Sequence, residues 1–206
     1  MGAQAWFAAY FDEDPKDVLR AKPILNRAAS RELAERLIPS ASLNERADGS
    51  LGFLNPDKGE VFVGDFGGLK IIAHEELGID ALSKIDPRWR STDLGSTTYV
   101  HATHSIVDWC AFSFWQNGEL IRALSLAPDS GIIEDIGDRL PFEVPYWNGA
   151  HALEDEDGEE PYPLPFHPLD LSASALLDVL GFQFEGRPSD WVCDPMDVPI
   201  AHFEIR

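Results

Sequence analysis

The chain has 206 residues, 44% of them hydrophobic, enough to enclose one core and remove about two-thirds of the unfolded surface from water. Its 36 acidic side chains against 16 basic ones give a formal charge of −20, a field that repels nucleic-acid phosphates and anionic lipid head groups, so neither is expected as a partner. Two cysteines, Cys110 and Cys193, stand far apart with no Cys/His ligand spacing around them, which argues against a disulfide framework or structural zinc and for a reducing cytoplasm.

The first segment, MGAQAWFAAYFDEDP, carries no basic residues before its short apolar run and predicts neither a signal peptide nor a membrane span. Within it AWFAAYF is apolar at successive positions, the pattern of a strand buried on both faces. Asp14 followed by Pro15 is a helix start, with Asp17 placed to meet the positive end of the helix dipole, and Pro23 stops this first helix early. Asn26 caps a second helix through RAASRELAERLI, in which Ala29, Leu33 and Leu37 recur every four residues until Pro39. Residues 43–54 are polar and read as loop. EVFVGDF and LKIIAH then form two short strands joined at Gly67-Gly68.

Residues 97–127 carry the richest pattern. TTYVHATH and VDWCAFSFW favour strand, and Asn117-Gly118 is a strong signal for a two-residue hairpin turn. Such a turn sets Trp115 opposite Leu120, Ser113 opposite Arg122 and Ala111 opposite Leu124. Arg122 would then stand among Trp109, Trp115 and leucines, where it must either snorkel to an edge or find a carboxylate. PDSGIIEDIGDRLPFEVPYWNGAH, residues 128–151, reads as a long ordered loop with one helical turn at 131–136. The tract EDEDGEE at 154–160 reads as part of an acidic mobile loop spanning 151–160. Its prolines make 161–168 extended, Ser172 is a candidate cap for ASALLDVL, FQFE is a candidate strand and IAHFEIR a terminal one. The sum is an α+β single domain over 1–206, with an antiparallel or mixed sheet of about five to seven strands and two main helices, 26–38 and 172–180, packed on it.

The block from VHATHSIVDWCAFSFW through EVPYW, with YPLPFHPLDLSASALLDVLGFQFEG after it, resembles a bacterial domain-of-unknown-function family over nearly the whole chain. The agreement is strongest at His104-Ser105, Asp108-Trp109, Asp129-Ser130-Gly131, Pro141-Phe142-Glu143, Tyr146-Trp147 and Phe166-His167-Pro168. The resemblance implies a cytosolic protein with no assigned activity and carries no catalytic roles over.

The stretch HATHSIVDW raises the question of a metal. On a strand, His101 and His104 point to opposite faces, and His104 and Asp108 stand roughly 13 Å apart at ~3.3 Å per residue. A shared ion needs ligands near ~2 Å, so no metal and no cofactor are expected. A bend at His104-Ser105 would instead bring His104, and the hairpin register Asp108, toward the turn holding Asp129 and Ser130, a candidate hydrolase-like cluster of base, orienting acid and nucleophile. It lacks the flanking pattern of a nucleophile elbow. Arg122, Glu134, Tyr146, Trp147 and His167 are candidate binding residues, since aromatic and arginine side chains anchor interfaces. The expectation is therefore a non-catalytic protein-binding module whose acidic surface meets a basic protein partner, with the hydrolase-like enzyme as the alternative.

Overall fold

A computed structural model describes residues 4–39, 42–153, 162–186 and 191–206. The acidic tract 154–160 lies outside the described residues.

Among the described residues ten strands make one antiparallel sheet: β1 (Gln4–Phe11), β2 (Leu43–Glu45), β3 (Gly49–Ser50), β4 (Glu60–Asp65), β5 (Leu69–Ala73), β6 (Thr97–His104), β7 (Trp109–Gln116), β8 (Glu119–Ala127), β9 (Gly131–Ile136) and β10 (Pro199–Ile205). Their spatial order is β2-β10-β4-β5-β1-β6-β7-β8-β9, with β3 paired to β10 beside β2. Four short helices accompany it: α1 (Pro15–Arg20), α2 (Arg27–Leu37), α3 (Val144–Trp147) and α4 (Pro168–Leu180).

This overturns the expectation of five to seven strands under two main helices. Two short strands, β2 and β3, come from the polar stretch read as loop, because β10 supplies backbone partners that their own sequence does not advertise. A third unexpected strand, β9, occupies the predicted helical turn at 131–136, where pairing with β8 satisfies the backbone of GIIEDI. FQFE forms no strand. Ser172 is not a cap either, since α4 begins one turn earlier with His167 Nδ1 accepting from Leu169 N at 3.3 Å.

The sheet is covered on both faces, which explains why its central strands are buried at successive positions and largely apolar. In β1, Ala5, Phe7 and Ala9 point to one side and Ala8 and Tyr10 to the other, all fully buried. The first side packs against α1, α4 and the chain around Phe166 and Phe182. Leu171, Ala175, Leu176, Val179 and Leu180 form the buried stripe of α4, and Gly181, at φ +73°, ends it in the left-handed conformation that favours glycine. The second side packs against Leu33, Ala34 and Leu37 of α2 and against residues 74–94, whose three short 3₁₀ turns bring in Leu77, Leu82 and Trp89. The predicted caps fit: Asp14 accepts from Lys16 N at 2.9 Å and Asn26 from Ala29 N at 3.2 Å.

The β7–β8 hairpin departs from its ideal register by one residue. Trp115 faces Leu120 as the Asn117-Gly118 turn requires, but beyond it Phe114 faces Arg122 and Phe112 faces Leu124. Ile121 is the extra residue of a β-bulge. Since strand side chains alternate between faces, that single insertion moves Arg122 to the side opposite Trp109 and Trp115.

There Arg122 is fully buried, with Nε donating to Glu143 Oε1 at 2.8 Å, Nη2 to Glu143 Oε2 at 2.6 Å and Nη1 to Asp135 Oδ1 at 2.5 Å. Nη1 also lies within reach of the Ala123, Ile136 and Gly137 carbonyls. Gly137 must be glycine, because it sits at φ +82° and a Cβ there would fall 2.0 Å from Ile121 O. Removing one partner of a buried ion pair strands the other charge, so Glu143→Leu is expected to cost about 3–5 kcal/mol in urea unfolding, and Arg122→Met/Glu143→Leu to recover most of it. A double variant no better than either single one would show that the pair is not the anchor.

Candidate functional site

The segment HATHSIVDW ends β6, turns through 105–108 and starts β7. Strand alternation separates its histidines as the sequence implies. His104 pairs with Gln4 across β1, its Nε2 3.1 Å from the Gln4 amide nitrogen; an amide nitrogen only donates, so the ring accepts there. Asp108 sits in the left-handed region at φ +48° and turns toward His167, with Oδ2 3.6 Å from His167 Nε2. Asp129 and Ser130 are exposed in the β8–β9 turn, where Ser130 N donates to Ala127 O at 3.2 Å. The two turns lie at the same end of the sheet, yet among the described residues no hydrogen bond or ion pair joins His104, Asp108, Asp129 and Ser130 to one another. No group of three His, Cys, Asp or Glu side chains among the described residues could hold a metal ion.

His101 has a different setting. It is fully buried beneath α4, with Nδ1 2.7 Å from the Tyr99 hydroxyl and Nε2 3.1 Å from Ser172 Oγ. Burial pushes the Cys110 thiol up to about 12, opposed in part by a hydrogen bond from Ser172. The Tyr99 phenol, which burial keeps protonated, and the Ser172 hydroxyl thus engage the His101 ring from its two nitrogens. Tyr99, His101 and Ser172 form one buried hydrogen-bonded series beneath α4.

Ser172 also lines a cleft of about 230 Å³ between α4 and residues 183–186, together with Thr103, Asp170, Leu176 and Phe184. Sequence reasoning missed this series. It marked His101 but assigned Ser172 to a helix cap, and only Tyr99, two residues from His101 on the same strand face, signalled a local partner.

The candidate binding residues hold the fold together. Glu134 is buried and accepts from both Ser83 N, at 3.1 Å, and Ser83 Oγ, fixing a 3₁₀ turn to β9. Tyr146 is buried, its hydroxyl 2.9 Å from Asp170 O and 2.8 Å from Ser174 Oγ. Trp147 meets Phe166 edge-on at 5.0 Å and carries the Arg139 guanidinium over its ring at 4.2 Å. His167 caps α4 and stacks on Tyr162 at 5.8 Å. The aromatics of the predicted recognition loop therefore face inward. Alongside exposed polar residues such as Asp129, Ser130 and Asp138, aliphatic side chains are also exposed here: Ile121 of β8 and Ile132 are 48% exposed, Ile136 and Val144 42%, and Ile133 37%.

Fold and site together define an antiparallel-sheet protein, covered on both faces, in which Arg122, Glu134, Glu143, His101 and Tyr146 are bonded within its own framework. The chain belongs to the family of unknown function DUF6928, whose model matches residues 5–203. No curated protein and no solved structure matches it. No helix among the described residues is long and apolar enough to cross a membrane.

Burial pushes the His101 imidazole down to about 3, against about 6.5 in an unfolded chain. Between those values the unfolded state takes up a proton that the folded state refuses, so His101 contributes stability above pH about 6.5 that is lost as pH falls toward 3, with a limiting slope of about 1.4 kcal/mol per pH unit. The difference in unfolding free energy between the wild type and His101→Gln should shrink over that window. Nitrogen NMR of His101 should show a neutral ring with no titration above pH about 5; titration near the ordinary value would refute the buried series.

Proposed function

We propose that this protein acts by binding another protein, presenting an acidic surface and an uncovered aliphatic edge to a basic partner in a reducing cytoplasm. The observation that carries the reading is the gathering of Ile121, Ile132, Ile133, Ile136 and Val144, all exposed, around one margin of the sheet. Exposed aliphatic side chains are unremarkable singly, but clustered ones mark interaction sites. The charge of −20 favours a basic partner by electrostatic steering, and unpaired Cys110 and Cys193 suit a reducing compartment. The alternative, a hydrolase-like site at His104, Asp108, Asp129 and Ser130, lacks a comparable observation, since His104 and Asp108 are engaged with Gln4 and His167.

A photo-crosslinking residue placed at Ile136 in living cells is expected to capture one discrete basic protein. Capture should weaken as the salt concentration of cell extracts is raised, and should fail when Ile121 and Ile132 are replaced by serine. The same crosslinker at Ile24, exposed elsewhere on the molecule, should not capture it. Equal capture from both positions, or none from Ile136, would remove the basis for this reading.

A further inference from the structure

We infer that β9 is a docking edge for an extended, lysine- or arginine-bearing segment of another protein, which joins the sheet as a further strand. This deepens the protein-binding reading and rests on it.

The two ends of the sheet are built differently. At one end the outermost strands, β2 and β3, are three and two residues long, a length that gives an incoming chain little to pair with. At the other, β9 is six residues long and pairs, among the described residues, with β8 alone. Open edges are usually protected by lysine, proline, bulges, charges or a covering loop; GIIEDI contains neither lysine nor proline, its bulge falls at Ile133, and its two acids are tied to Ser83 and Arg122 rather than left on the edge. Ile132 lies opposite Leu126 and Ile136 opposite Ala123, whose side chains belong to different faces of the sheet, so aliphatic groups flank the edge above and below. Glu134 and Asp135 are tied to Ser83 and Arg122, which holds the strand in place before anything binds and lowers the ordering cost of association.

Charge selects the occupant. Residues 123–138 contain Asp129, Glu134, Asp135 and Asp138 and no lysine or arginine, and Arg139 beyond them lies over Trp147. Asp129 and Asp138 are exposed on either side of β9, and Glu119 is exposed at the start of β8. Two copies meeting edge to edge would bring these carboxylates together, whereas a strand alternating aliphatic and basic residues would pack among the isoleucines and neutralise the acids. The same residues that discourage self-association favour such a strand. A bulge at Ile133 bends the strand between its two paired stretches, 131–132 and 134–136.

The probe is a nine-residue synthetic peptide alternating valine and lysine, followed by fluorescence anisotropy and by hydrogen exchange of the full chain. Expected are binding that weakens with salt, slowed exchange at amides of 131–136, and affinity reduced at least tenfold by a central proline in the peptide or by Ile132→Lys/Ile136→Lys, with unfolding curves confirming that the variant folds. A valine–glutamate peptide should not bind. Binding that tolerates the proline and leaves β9 exchange unchanged would overturn strand addition while the protein-binding reading stood on its own crosslinking test. Protection of 131–136 that grows with protein concentration without peptide would make a second copy the occupant and overturn the proposal equally.

Discussion

The guanidinium of Arg122 is fully buried, and the groups that surround it come from several parts of the chain: Glu143 from the turn before α3, Asp135 from β9, and carbonyls from β8, from the end of β9 and from Gly137 after it. A buried cation without this shell would be untenable, so the bulge at Ile121, the position of β9 and the return of residues 140–143 over the sheet form one coupled arrangement. The bulge turns Arg122 to the proper face, and the chain beyond β9 closes around it. The far end of the sheet is therefore built around a polar centre, in contrast to the aromatic and aliphatic packing that fills the space under α4 and α2.

Local chemistry was legible wherever the signal lay within a few residues. Asp14 and Asn26 announce their helices because a short acceptor side chain before an amphipathic run satisfies amides that the helix leaves open. The Asn117-Gly118 turn fixes Trp115 against Leu120. One step further the sequence is silent, since nothing in ELIRALSLA says that Ile121 is extra, and a one-residue error inverts every later side chain. Strands β2, β3 and β9 escaped for a related reason: short polar or mixed segments become strands when a distant partner offers its backbone, and that offer is not written in the segment itself.

The candidate site divides in the same way. Alternation along β6 rightly separates His101 from His104, because it depends only on parity. Which partner each residue takes depended on elements far along the chain: Ser172 in α4 for His101, Gln4 in β1 for His104, and the α4 cap for Asp108. Polar residues at 129–146 looked like a recognition surface since charge and aromaticity are equally compatible with a binding face and a buried network. Burial decides between them, and for Glu134, Glu143 and Tyr146 it places the side chains inside.

The placement of the first and last strands has a kinetic meaning. The first strand, β1, is the fifth of the nine along the sheet, bridging β5 and β6, with Gln4 and His104 in contact across a separation of 100 residues. The last strand, β10, inserts between β2 and β4. During synthesis β4, β5 and β1 can assemble while the edge of β4 waits for a strand that emerges after all the others, exposing a ladder of unpaired backbone in the interim. A topology so dominated by distant pairings folds slowly, and its vulnerable moment is that wait.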